Sequence, residues 1–212
     1  ALIGSTEELK ALIEEMRAAQ RFAMKVITDG TAPVRATLVG IAIAITPPKA
    51  RYIPLGHEGF GGGFSLNKSD TLAMLAPLLT DPAIEKMGHD LKADLIVLRR
   101  HGVDVQNPRG FGTMIASYLV DANRSSQDLE PLALEQLGYK ALTEDEVRGK
   151  GVKAVPFAQV PVDSVLDYAG ERADLALQLS ERVGPGLVND GLEPVDRDLV
   201  LAVVPVLPQI RP

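Results

Sequence analysis

An α/β fold, with a mixed sheet of about five strands flanked by helices, is predicted by three observations. A capped helical segment opens the chain, and three consecutive runs of β-branched and apolar residues follow, separated by turn signals. After these, helical and strand-like segments alternate before the chain turns wholly helical. Ser5-Thr6-Glu7-Glu8 reads as a capping box, and Leu9, Leu12, Ile13 and Met16 recur at helical spacing, which predicts a first helix to about Gln20. Strands are expected over 22–28, 36–46 and 50–55, divided by Asp29-Gly30 with Pro33 and by Pro47-Pro48. The glycine-rich stretch 56–65 reads as a loop, followed by a helix over 71–79, a short strand over 84–88 and a helix over 91–101. A short segment at 103–105, helices at 113–121 and 129–137, and a loop holding Gly149-Lys150-Gly151 come next. One longer helix is expected over 161–183, with Pro161 admissible only in its first turn. Beyond Gly184-Pro185-Gly186 the periodicity weakens, and 196–210 reads as a last apolar helix interrupted by Pro205 and Pro208.

Composition narrows the class. With 212 residues, 46% of them hydrophobic and 24% charged, the chain can bury a full core as one domain, and it contains no internal repeat. No run of roughly 18 apolar residues occurs, and ALIGSTEELK lacks the basic start and apolar stretch of a signal peptide, so no membrane partner and a cytoplasmic location are expected. The absence of cysteine removes thiolate catalysis and cysteine-ligated zinc. A net charge of -6 argues against a free-standing, high-affinity nucleic-acid binder, because phosphate attraction needs a basic face.

Other motifs are weak. Gly59-Phe60-Gly61-Gly62-Gly63 lacks the Gly-Lys-Ser/Thr of a phosphate-binding loop, and His57, His89 and His101 have no metal-ligand spacing. Taken alone, Lys25 reads as a solvent-facing strand residue, Tyr168 as a core residue with its hydroxyl at an edge, and Asp94 as a solvated helix acid. Lys150 and Lys153 read as a solvated basic loop.

Five segments together change that reading. The stretch RFAMKVITDGTAPVRATLVG, Arg21 to Gly40, resembles the opening of the 3′–5′ exonuclease domain of family A DNA polymerases. Gly88-His89-Asp90-Leu91-Lys92-Ala93-Asp94 resembles that family's Gly-Gln-Asn-x-Lys-x-Asp, with Asp90 for Asn and Ala93 for the usual aromatic. Gly110-Phe111-Gly112-Thr113-Met114 is similar to its Phe-Asp-Thr segment, Gly149-Lys150-Gly151-Val152-Lys153 with Phe157 to its Gly-Lys-Gly-Lys loop, and Tyr168-Ala169-Gly170-Glu171-Arg172 to its Tyr-x-x-x-Asp. The resemblance runs from about Ser5 to Val183 and implies a ribonuclease H-like fold. It also implies a site that holds two divalent metals.

The acids of that site are mostly missing. The Asp-x-Glu pair falls on Lys25 and Ile27 and the third-motif Asp on Arg172; only Asp94 keeps a carboxylate, while Tyr168 keeps the tyrosine that orients the attacking water. Two divalent ions about 4 Å apart require clustered oxygen ligands. Asp174 lies about 200° and Glu171 about 100° around the helix from Arg172, so neither replaces the acid without a register change.

The resemblance therefore implies a vestigial exonuclease-like domain over 1–190, without metal or activity, with 191–212 leading into a polymerase region. The tail from Leu199 resembles the first residues of such a region, so the chain reads as an excised fragment. The implied parent is a DNA-directed DNA polymerase of replication and repair. Its polymerase region would be the partner, and DNA a weak one contacted through Lys150, Lys153 and Arg172. Lys25 and Arg172 are expected beside Asp94, leaving a local surplus of about +1 by charge counting. Two alternatives stay open: an active Mg²⁺- or Mn²⁺-dependent exonuclease whose site is rebuilt from Asp29, Asp90, Glu171 or Asp174, and an independent protein-interaction module.

Overall fold

Ser5 starts α1 (Thr6–Ala19) as expected: its hydroxyl accepts the Glu8 N–H, and the Glu8 carboxylate accepts the Ser5 N–H in return. A computed structural model describes residues 1–30, 32–58, 66–105, 109–189 and 191. The glycine-rich stretch 59–63 and the expected helix at 196–210 lie outside the described residues.

The three strand-like runs form β1 (Arg21–Asp29), β2 (Thr37–Thr46) and β3 (Lys49–Pro54), joined antiparallel. Beyond α2 (Lys68–Thr80), β4 (Glu85–Gly88) pairs parallel with β1. Past α3 (Leu91–Arg100), β5 (Gly110–Gly112) pairs parallel with β4, giving the order β3-β2-β1-β4-β5. Segment 103–105 lies outside the sheet, with Val103 and Val105 buried in the core. The fifth strand is the three-residue Gly110-Phe111-Gly112, too short and too rich in glycine to carry a period of its own.

Alternation along β1 divides the core between the two sheet faces. Phe22, Met24 and Val26 pack with Leu9, Leu12 and Met16 of α1 and with α2 and α3. Ala23 and Ile27 point the other way, against Ala169, Ala173, Ala176 and Leu177 of α7 (Val162–Asn189). Small side chains let α7 lie close to the sheet. A Cβ added to Gly170 would stand 3.2 Å from the Ala50 Cβ, and one added to Gly40 would stand 2.1 Å from the Tyr52 hydroxyl, so Gly40 is what admits the Tyr52 ring. Between β5 and α7 lie α4 (Thr113–Val120), α5 (Leu129–Leu137) and α6 (Glu144–Arg148). The last of these falls where only a loop was expected, although Thr143 and Glu146 form a capping box that the sequence displays.

The long helix does not end at Gly184-Pro185-Gly186 but runs to Asn189. Val183 and Leu187 are buried with Leu129, Leu132 and Ala133 of α5, and this apolar contact outweighs the backbone hydrogen bond that Pro185 cannot make. Among the described residues no helix is long and apolar enough to cross a membrane.

Candidate functional site

β1 is the central strand, and Lys25 lies between Ala23 and Ile27 on the face turned to α7. Gly88 ends β4, and Asp90 caps α3 by accepting the Ala93 N–H at 3.3 Å, which sets Asp94 in the first turn. The Lys25 Nζ then reaches Asp94 Oδ1 at 2.7 Å. Asp94 is only 2% exposed, and its Oδ2 has no hydrogen-bond partner. Burial pushes the Asp94 carboxyl up to about 6, with the Lys25 ammonium opposing that rise. Ile27 is simply a core side chain, 2% exposed.

Tyr168 and Arg172 sit one turn apart on α7, and the guanidinium lies 4.3 Å from the phenol ring centre. The Tyr168 ring also stacks on Phe157, with centroids 5.4 Å apart and Arg148 over the far member of the pair at 4.7 Å. Arg172 is paired with Glu130 of α5. The expected approach of a cation to Asp94 is met by Lys25, whereas the expectation for Arg172 is corrected, since it is drawn to an acid supplied by another helix.

Lys25, His89, Asp90, Glu130, Glu144, Tyr168 and Arg172, with Leu129, line a cleft of about 300 Å³. Burial first, then Lys25 and Arg172, lower the His89 imidazole to about 4, so the ring is neutral at pH 7. Its Nδ1 lies 3.0 Å from the Thr113 hydroxyl. The expected surplus of +1 is also corrected. Lys25 is answered by Asp94, Arg172 by Glu130 and Arg148 by Glu144, and Asp90 remains. Neither Glu130 nor Glu144 lies in a motif that the sequence singles out.

Of the alternative carboxylates, Asp90 lines the cleft and the other three are engaged elsewhere. Asp29 accepts the backbone N–H groups of Phe157 and Ala158 at 2.6 and 2.9 Å. Glu171 accepts from the Leu142 N–H and the Tyr139 hydroxyl. Asp174 accepts from Gln178 at 2.7 Å, and with Glu171 it lines a separate cleft of about 470 Å³. Among the described residues, no three His, Cys, Asp or Glu side chains gather where they could hold a metal ion. A single buried carboxylate already held by an ammonium does not fit a pair of divalent ions. Lys150 stands 3.8 Å from Asp145 with its side chain 86% exposed, and neither it nor Lys153 lines the cleft.

The sheet order, with a cleft where β1, the start of α3 and the long α7 converge, defines a ribonuclease H-like domain of the nuclease type. A family model described as 3′-5′ exonuclease, that of the family A DNA polymerases, matches residues 2–187, and the chain belongs to this family. It is 31% identical over 204 residues to DNA polymerase I of Pseudomonas aeruginosa, covering 95% of this chain and 22% of that protein. It is 32% identical over 217 residues to DNA polymerase I of Rhizobium leguminosarum, covering 94% of this chain and 21% of that one. The chain thus spans about a fifth of the length of these relatives. Among solved structures, Escherichia coli RNase D superposes with a TM-score of 0.71 at 19% identity, over 96% of this chain and 50% of its own, which speaks to the fold alone.

Proposed function

We propose that this is an exonuclease-like domain that no longer cleaves phosphodiesters and serves as a structural platform within a cytoplasmic DNA polymerase of replication and repair. The carrying observation is the Lys25–Asp94 ion pair, in which a cation occupies the one retained metal-binding carboxylate. Hydrolysis by two metals needs ions on both the attacking and the leaving oxygen, whereas Asp94 is held by Lys25, Glu130 by Arg172 and Glu144 by Arg148, and Asp90 caps α3. Residues 1–190 form the platform, 191–212 lead toward the polymerase region, and that region is the partner within the same parent chain. The length of the relatives supports this last point. Contact with DNA, through Lys150, Lys153 and Arg172, is weak.

The test is an exonuclease assay on a 5′-labelled single-stranded oligonucleotide with Mg²⁺ or Mn²⁺. The expected result is intact DNA at enzyme excess. Shortening from the 3′ end that survives repurification and is abolished by Asp94→Ala overturns the proposal.

A further inference from the structure

Leu142, between α5 and α6, has both of its backbone polar groups held by consecutive side chains of α7. Its N–H donates to Glu171 Oε1 at 2.6 Å, and its carbonyl accepts from Arg172 Nη2 at 3.4 Å. The other Glu171 oxygen accepts the Tyr139 hydroxyl at 2.8 Å, and the same Arg172 nitrogen pairs with Glu130. The segment that follows is fastened otherwise at its far end, where the Arg148 side chain donates to the Val155 carbonyl at 2.7 Å and lies over Phe157, and the Arg148 carbonyl accepts the Val155 N–H. Between those ends α6 is five residues long with no buried residue, and Leu142 and Val147 pack half-buried against the α7 cluster. A helix of that length has no stability of its own. Yet α6 sets Glu144 in the wall of the cleft, and Glu144 with Arg148 in the wall of a smaller pocket of about 160 Å³ that shares Lys25 and Tyr168 with it.

We propose that Glu171 and Arg172 act as a clip that straps residues 139–148 beside the cleft, so that release of this strap frees the wall that Glu144 contributes. The clip is independent of whether the cleft cleaves anything, because it consists of contacts between α7 and the segment alone. The Glu171 contact is a short charge-assisted hydrogen bond and the Arg172 contact a longer, weaker one, and losing either exposes the segment to local opening.

Hydrogen exchange read by mass spectrometry on the full chain tests this, comparing the wild type with Glu171→Gln, Arg172→Met and Glu130→Gln. Exchange of the amides from 142 to 148 is expected to accelerate by roughly tenfold or more in Glu171→Gln and Arg172→Met, as for the loss of a charge-assisted hydrogen bond. Amides of α1, β1 and β2 should keep wild-type rates. Glu130→Gln should accelerate the segment less, and should add nothing to Arg172→Met. Unchanged exchange over 142–148 in both clip variants overturns the proposal, as does acceleration spread evenly through β1 and β2. Should Arg172→Met not fold, Glu171→Gln and Glu130→Gln decide it by the same criteria.

Discussion

Asp94 keeps its charge in a place that penalises it, and the penalty gives it a pH signature. Its folded value of about 6 lies above the ordinary 3.8, so the stability contributed by its proton is fully present below about 3.8 and is lost as pH rises through 6. His89 runs the other way. Its folded value of about 4 lies below 6.5, so the stability of its neutral form is present above 6.5 and is lost as pH falls through 4. The two slopes oppose each other, and the wild-type profile conceals both. Asp94→Asn removes only the first. Its unfolding free energy relative to wild type should therefore gain up to about 3 kcal/mol between pH 4 and pH 7.5, since a tenfold change in proton affinity is worth ~1.4 kcal/mol. Urea titrations at those two pH values check this, and a difference independent of pH would mean that Asp94 ionises like a surface acid. The residues of this pair were legible as positions in motifs. That Lys25, and not Arg172, would meet Asp94 was not, because the choice depends on Glu130 standing nearer to Arg172.

At the scale of elements, α7 carries most of the organisation. It supplies the apolar stripe that covers one sheet face, the Tyr168–Arg172 pair at the cleft and the clip on Leu142. Its continuation through Pro185 rests on Leu187, which is fully buried against α5 and α4. Leu187→Ala should destabilise the chain by about 2–5 kcal/mol, the usual cost of a cavity at a buried leucine. Thermal and urea unfolding measure it; a loss below about 1 kcal/mol would place the last turn outside the cooperative unit. Long segments with clear period were readable, α1 to within a residue or two and α7 at its start, although the six residues past Val183 were not. The short β5 and α6 were not, since three and five residues complete too little of a repeat, and both depend on neighbours already in place.

At the scale of the whole molecule, the net charge of -6 and the internal pairing of the cleft cations act together. With Lys25 and Arg172, the cations that line the cleft, each facing a carboxylate, the cleft itself is poorly equipped to displace counterions from a phosphate backbone. Fluorescence anisotropy with a single-stranded oligonucleotide at about 0.15 M salt should accordingly give a Kd weaker than about 10⁻⁴ M, the weak limit of non-specific binding. A Kd tighter than about 10⁻⁶ M would show a basic surface that the cleft does not provide.

What the sequence by itself determined was the order of the principal helices and strands, the family, and the chemical type of residue at each motif position. These are carried by capping, turn and periodic patterns that act over a few residues. Only the tertiary structure decided which charges meet. Glu130 and Arg172 are 42 residues apart, and Lys25 and Asp94 are 69 apart. No local pattern records such a pair. It forms where packing of α3, α5 and α7 on the sheet brings the side chains together, and burial then makes each charge costly without its partner.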